Sequence, residues 1–233
     1  MKRSKRYVRL SELVDKDKAY SPQEAVSLIK KMGEAKFDES VEVSIKLGVD
    51  PKRSDQQVRG SASLPHGVGK KIRVLALAEG DKAQEAEKAG ADIVGGKELV
   101  EKIAGGWLDF DSVVAVPSMM RELGKVGKIL GPRGLMPSPK TGTVTENLSA
   151  VIKEIKAGRV EFKLDKGGNL HFSIGKVSFP EKNILENLIA AIRAILKLKP
   201  PSLRGSFIQR VFIATTMGPS VKVNTKELIE MVR

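Results

Sequence analysis

The chain has 233 residues, with 41 Lys+Arg against 28 Asp+Glu and a formal net charge of +13. It has no cysteine, which excludes disulfides and thiolate metal sites, and no apolar run approaches the ~20 residues that span a bilayer. A 41% hydrophobic share supports one large or two modest domains, and the basic surplus points to nucleic acid or another polyanion.

Residues 1–19 are polar and basic. Lys2, Arg3, Lys5, Arg6 and Arg9 read as an arm that orders on a partner, and no apolar segment follows that would make a secretory signal. Ser21, Pro22 and Glu24 then spell a helix start, with a cap, a proline at the first helical position and an acid at the third. Gly33 stops that helix. Val41, Val43, Ile45 and Leu47 alternate with Glu42, Ser44 and Lys46, which predicts a half-buried strand. A polar turn leads to a second short strand near 58–64.

At Pro65–Gly69 the character changes. Ile72–Ala78 is an almost unbroken apolar run, as in a buried parallel strand. Asp81 is expected to cap a helix ending at Gly90. A short strand over Ala91–Val94, a helix over Lys97–Ile103 and a strand over Ser112–Val116 follow. Gly124–Val144 holds five glycines and three prolines, too many for a continuous helix or a central strand. It reads as a long loop. Its cations are Lys125, Lys128, Arg133 and Lys140, while Val126, Ile129, Leu130, Leu135 and Met136 can anchor it on a body. Such a loop suits a polyanion, and it equally suits an irregular connection with solvated lysines. Glu146–Ala157 is then a helix.

From Gly158 the alternation returns. Strands over Arg159–Leu164 and Leu170–Ile174 flank Asp165–Asn169, which reads as a hairpin loop. Asn183–Leu196 carries the clearest apolar stripe. Gln209–Thr216 reads as a strand, Met217–Pro219 as a turn, and Lys226–Val232 as a closing helix. The two ends resemble each other and the middle differs, which indicates an inserted domain. The expected division is 1–67 with 159–233 against 68–158. The insert has 14 cations and 12 acids, and the rest has 27 and 16. The ends therefore carry +11 of the +13 charge. The expected fold class is α/β (α+β) in two domains. One is a discontinuous α+β sandwich with helices on one face of its sheet, and the other is an inserted three-layer α/β, Rossmann-like domain.

Little in the sequence supports an enzyme. His66 and His171 stand apart with no metal-ligand spacing around either, and His66 suits a structural role at the domain crossing. Gly67-Val68-Gly69-Lys70-Lys71 fails as a phosphate loop, because Lys71 stands where Ser or Thr is needed. Glu79-Gly80-Asp81 replaces a dinucleotide fingerprint after the Ile72–Ala78 strand. A nucleotide- or dinucleotide-binding enzyme on the insert is the alternative reading, by fold analogy alone. RNA is better served. An exposed Phe37 can stack a base, Glu42 can accept from base donors, Lys36 and Lys46 can hold phosphates, and the small residues of Thr215–Ser220 admit a close backbone.

Four segments together resemble the bacterial-type family of ribosomal protein L-one, the first protein of the large subunit: Lys36-Phe37-Asp38-Glu39, Asp50-Pro51 through Leu64–Gly67, GKILGPRGLMPSPKTGTV, and Thr216-Met217-Gly218-Pro219-Ser220. The resemblance covers essentially the whole chain. It implies a non-enzymatic cytoplasmic protein, monomeric when free, with no cofactor, metal or membrane. It implies a discontinuous domain on large-subunit ribosomal RNA, forming the mobile stalk that helps deacylated tRNA leave the exit site, and repression of its own operon's messenger RNA. The implied RNA contacts fall on Lys36, Phe37, Glu42, Lys46, Thr216, Met217 and Gly218. Ser40 stands where the family often has Thr, and Lys166 and His171 are further contacts. The RNA face is expected at the sheet edge near Phe37, Glu42 and Met217. Lys125, Lys128, Arg133 and Lys140 are the implied tRNA-proximal cations. Arg210 stands where some relatives have a small hydroxyl residue.

Overall fold

The computed structural model describes residues 3–232. The chain divides into two compact units: Lys70–Arg159, and the two chain ends, through Gly69 and from Val160.

In the end-built unit the basic N-terminus is a helix, α1 (Lys5–Glu12), and not a free arm. The Ser4 hydroxyl caps it by accepting from the Tyr7 N–H at 3.3 Å. Leu10 and Val14 are buried, and these two sparse anchors suffice to dock it. Lys2 lies outside the described residues. α2 (Pro22–Met32) begins with the reciprocal Ser21/Glu24 capping box and buries Ala25, Val26, Ile29 and Met32. β1 (Ser40–Leu47) turns Val41, Val43, Ile45 and Leu47 into the core.

β2 (Arg59–Ser63) pairs with β6 (Arg159–Lys163) as a separate ladder, whereas β7 (Asn169–Lys176) joins β1. Asp165–Asn169 is therefore a tight turn between two sheets, and not the expected hairpin. The turn closes locally, with the Asp165 N–H on the Asn169 carbonyl at 2.9 Å, but the next N–H, of Leu164, goes to Val58 at 3.0 Å. Turn chemistry cannot say which ladder each flank joins. α8 (Glu181–Lys197), β8 (Ile208–Thr215), β9 (Ser220–Val223) and α9 (Thr225–Val232) complete the unit. β9 has no counterpart among the expected elements, because four residues after a proline give almost no alternation to read.

The main sheet is antiparallel in the order β7-β1-β8-β9. Its inner face meets α2, α8 and α9. Ile184, Leu188, Ile192 and Ile195 of α8 are fully buried, each stabilising by about 1.5–3 kcal/mol. Asn187 is buried in the same stripe. Its amide donates to the Gly67 and Ile174 carbonyls at 2.9 and 2.8 Å and accepts from the His66 N–H at 3.1 Å. The His66 ring pairs with Glu186 at 2.5 Å and holds that carboxyl below its ordinary value.

The insert is a parallel sheet in the order β4 (Ile93–Gly95), β3 (Val74–Leu77), β5 (Ser112–Ala115). Every residue of β3 is buried. Connections through α3 (Asp81–Lys88) and α4 (Lys97–Ala104) run to opposite sides of β3. Right-handed crossovers therefore put these helices on opposite faces, giving three layers. Asp81 is the first helical residue and not the cap. Gly80 takes the cap position with no side-chain bond, and Asp81 adds only its charge at the positive helix end. α5 (Met120–Leu123) and α6 (Gly127–Leu130) follow β5. α7 (Leu148–Ala157) is capped by Asn147.

The first part of the glycine-proline segment is helical, against expectation: short 3-10 and α turns run without a break from Pro117 to Leu130, through right-handed Gly124 and Gly127, and the irregular part begins only with Gly131 and Pro132. Val126 and Leu130 are buried, and Ile129, Leu135 and Met136 pack on the insert's core. The return leg is tied by Thr143, whose hydroxyl accepts from the Ser138 N–H at 2.9 Å and whose carbonyl accepts from Ala115 at 3.0 Å. Among the described residues no helix is long and apolar enough to cross a membrane, and no group of three or more His, Asp or Glu is placed to hold a metal.

Candidate nucleic-acid interface

The loop from α2 to β1 and the turn from β8 to β9 are distant in sequence but are joined by one side chain, Glu39. Its carboxylate is 2% exposed. One oxygen accepts from the Ala35 N–H at 3.1 Å and the other from the Met217 N–H at 2.9 Å. Both lobes of the carboxylate are thus used by backbone, which fixes the two segments against each other. Asp38 secures the same loop through the Ser178 backbone and hydroxyl at 3.1 and 2.8 Å. Held in this way, Phe37 stands 55% exposed and Met217 49% exposed. A phenyl ring serving the core would not be left out, so the core alternative for Phe37 is removed.

Thr216 is committed to the fold. Its hydroxyl accepts from the Ser40 N–H at 3.0 Å and donates to the Ser40 carbonyl at 3.4 Å. The Ser40 hydroxyl accepts from the Lys176 ammonium at 2.8 Å. Gly218 is required by close approach, because a Cβ there would stand 2.5 Å from Thr215 Oγ1. Lys36 is exposed and its ammonium has no partner among the described residues.

β1 is an inner strand, so Glu42 lies on the open face of the sheet and not at its edge. In register it sits between Ser173 and Ala214. It is exposed, and no cation or donor meets it among the described residues. The next row sets Ser44 between His171 and Phe212, and the third sets Lys46 between Asn169 and Arg210. His171 Nδ1 meets the Ser44 hydroxyl at 3.0 Å, and its Nε2 is 3.5 Å from Asp165. The Asn169 N–H bond, with smaller help from His171, keeps the Asp165 carboxyl below its usual range. The Lys46 ammonium donates to the Gly167 carbonyl, and Lys166 is exposed in the same turn. Glu42 to Lys46 spans about 13 Å along β1.

A groove of about 410 Å³ beside Met217 is lined by Arg3, Ser4, Arg6 and Tyr7 of the N-terminal segment. The Arg3 guanidinium covers the Tyr7 ring at 4.6 Å, and Arg9 pairs with Glu34. The basic N-terminus thus lies beside Met217 as a helix. Glu39 was visible in the sequence only as part of a run. Nothing local signals that its side chain reaches residue 217.

The insert's four loop cations do not form one set. Lys125 pairs with Glu122 at 2.5 Å and draws that carboxyl below its ordinary value. Lys128, Arg133 and Lys140 are exposed, with side chains unpaired among the described residues.

The profile of the Ribosomal protein L1p/L10e family matches residues 28–219. The chain belongs to that family. It is 55% identical over 229 residues to "Large ribosomal subunit protein uL1" of Kosmotoga olearia, covering 98% of this chain and 99% of the relative. The same-named protein of Thermus thermophilus is 55% identical over 224 residues, 96% of this chain and 98% of its own length. That of a Nocardioides species is 52% identical over 224 residues, 96% and 93% respectively. The L1p/L10e match includes Lys36–Lys46, Thr216–Gly218 and the whole insert loop. α1 lies ahead of it, and the relatives' near-complete coverage reaches toward that helix.

Proposed function

We propose that the chain is a structural protein of the large ribosomal subunit that binds large-subunit ribosomal RNA through the open face of its end-built sheet. The observation that carries this reading is the arrangement around Glu42. An unpaired carboxylate stands on the open face of β1, and beyond the start of that strand an exposed ring and an exposed thioether lie on two segments that one buried glutamate ties together. A free acid on a polyanion-binding face repels phosphate unless it accepts from a base donor. Phe37 and Met217 offer apolar faces for unstacked bases with Lys36 close by in sequence, and Lys46, Lys166 and His171 supply donors and charge farther along the face. Ser40, Thr216 and Gly218 set the backbone against which RNA packs, the hydroxyls of Ser40 and Thr216 being occupied within the fold.

In this reading the insert is carried on the stalk and presents Lys128, Arg133 and Lys140 to the exit-site tRNA, assisting release of the deacylated species. The same RNA face serves for repression of the chain's own operon, where the messenger offers a like structure. Both uses belong in the cytoplasm, on and off the ribosome, and neither needs catalysis. Crosslinking to total cellular RNA followed by sequencing of the bound fragments tests the reading. It expects enrichment of one large-subunit segment and one messenger leader, joined through nucleotides at Phe37 and Met217. Uniform recovery of all RNAs would reduce the face to a non-specific basic surface.

A further inference from the structure

At the end of the open face away from Phe37 and Met217, two loops replace the strand ladder. One, residues 48–58, leaves β1. The other, residues 198–207, leads into β8. They are locked side by side. The Gly48 N–H donates to the Phe207 carbonyl at 2.8 Å, and a Cβ at Gly48 would stand 2.3 Å from the Ser206 carbonyl oxygen. Farther out, the Ser202 hydroxyl donates to Asp55 at 2.8 Å. Buried Gln56 stiffens the first loop by accepting from the Asp50 N–H at 2.8 Å.

The acids of this ledge are spent on the loops themselves. Asp50 accepts from the Lys52 N–H at 3.0 Å, and Asp55 takes Ser202 and, at 3.5 Å, Arg53. Apart from Arg53, the cations are not spent. The side chains of Lys52, Lys199 and Arg204 are exposed, with no hydrogen bond or ion pair among the described residues. The ledge is continuous with the open face. Gln209 and Arg210 lead from it to a pocket of about 300 Å³ that they line with Lys46 and Phe212. There Lys46 and Arg210 are directly opposite in the ladder. Like charges so placed destabilise a sheet, and an anion against both removes the penalty.

We propose that these two loops are a phosphate-binding ledge that carries the RNA of the open face onward past the end of β1, with Lys52, Lys199 and Arg204 taking phosphates and no bases. This rests on the RNA reading above. The class of contact follows from what the ledge offers. It exposes no aromatic ring for stacking, since Phe207 is buried, and its two acids are engaged. What remains is mobile charge, which suits phosphate and not base edges.

The test uses the full chain, a large-subunit ribosomal RNA fragment that it protects, and the triple variant Lys52→Ala/Lys199→Ala/Arg204→Ala. The salt dependence of binding should flatten by about 2–3 in log–log slope. The hydroxyl-radical footprint should shorten at one end while its central nucleotides stay protected. The charge-keeping variant Lys52→Arg/Lys199→Arg/Arg204→Lys should restore both. An unchanged slope and footprint in a folded triple variant would overturn the ledge. So would intact RNA binding with failed entry into subunits, which would assign the loops to a protein neighbour. A wild-type chain that protects no ribosomal RNA fragment would instead sink the underlying RNA reading, and the ledge with it.

Discussion

The open face of the end-built sheet and the glycine-proline loop of the insert are both cationic, but they are built differently. On the sheet, ladders fix each side chain. Glu42 stands in register between Ser173 and Ala214, and the buried Glu39 carboxylate ties the loop that carries Phe37, at Ala35, to the Met217 backbone. In the loop, apolar residues hold the backbone. The unpaired cations extend from turns without side-chain partners. Base reading needs fixed geometry, because hydrogen bonds weaken steeply away from their preferred angles. Attraction to phosphate needs only charge within reach. In the proposed function, sequence-specific recognition therefore belongs to the sheet and general attraction to the loop.

The sharpest way to break that contrast is Glu39→Gln. A glutamine offers one acceptor where two N–H groups converge and turns an NH2 toward the second. The cost in stability should be about 2–3 kcal/mol, read by urea denaturation, and specific RNA affinity should fall tenfold or more because Phe37 and Met217 lose their common anchor. Full specific affinity in the destabilised variant would show that the anchor is irrelevant to RNA. Gly218→Ala acts at the same place more gently. Its methyl must displace the Thr215 hydroxyl, for about 1–3 kcal/mol, and specific binding should weaken while Trp107 fluorescence, which reports on the insert, stays unchanged.

Acid should weaken the insert by a smaller amount. In the insert the Val74 N–H lowers the Asp92 pKa, and the Lys70 ammonium lowers that of Asp111. A lowered carboxylate contributes stability that is full above the ordinary aspartate value of about 3.9 and is lost as pH falls through the folded-state value. The insert's urea midpoint, followed at Trp107, should therefore drop below about pH 4. Asp111→Asn should remove part of that slope, worth no more than about 1 kcal/mol. The smallest effect is expected from Lys128→Ala/Arg133→Ala/Lys140→Ala. Stability should move by less than about 0.5 kcal/mol and ribosomal RNA binding should hold, while exit of deacylated tRNA from assembled ribosomes slows. Unchanged release would leave the loop a structural connection.

Much of this was legible in the residues. The Ser21/Glu24 box, the alternation of β1, the apolar run of β3 and the stripe of α8 each carry a local signal strong enough to fix an element. Phe37 and Glu42 stood out because their types are unusual where they fall, whereas Met217 entered only through the family resemblance. What stayed hidden depends on distant partners. Leu10 and Val14 make a helix of a basic arm only because a core is waiting for them. Asp165–Asn169 reads as a hairpin until β1 claims one flank and β2 the other. Glu39 and Asn187 look like ordinary surface residues, yet they are buried because backbone groups far along the chain converge on them. Thr216 looked free for RNA, whereas Ser40 occupies its hydroxyl.

The most direct test of specific reading by the sheet is Glu42→Gln in the full chain, titrated in parallel against the protected ribosomal RNA segment and an unrelated RNA of equal length. If Glu42 accepts from a base, the specific complex should weaken by about 1–3 kcal/mol, while the non-specific complex holds or tightens because a negative charge has gone. Equal tightening of both would contradict the account, leaving Glu42 a bystander and the face a surface that attracts RNA without reading it.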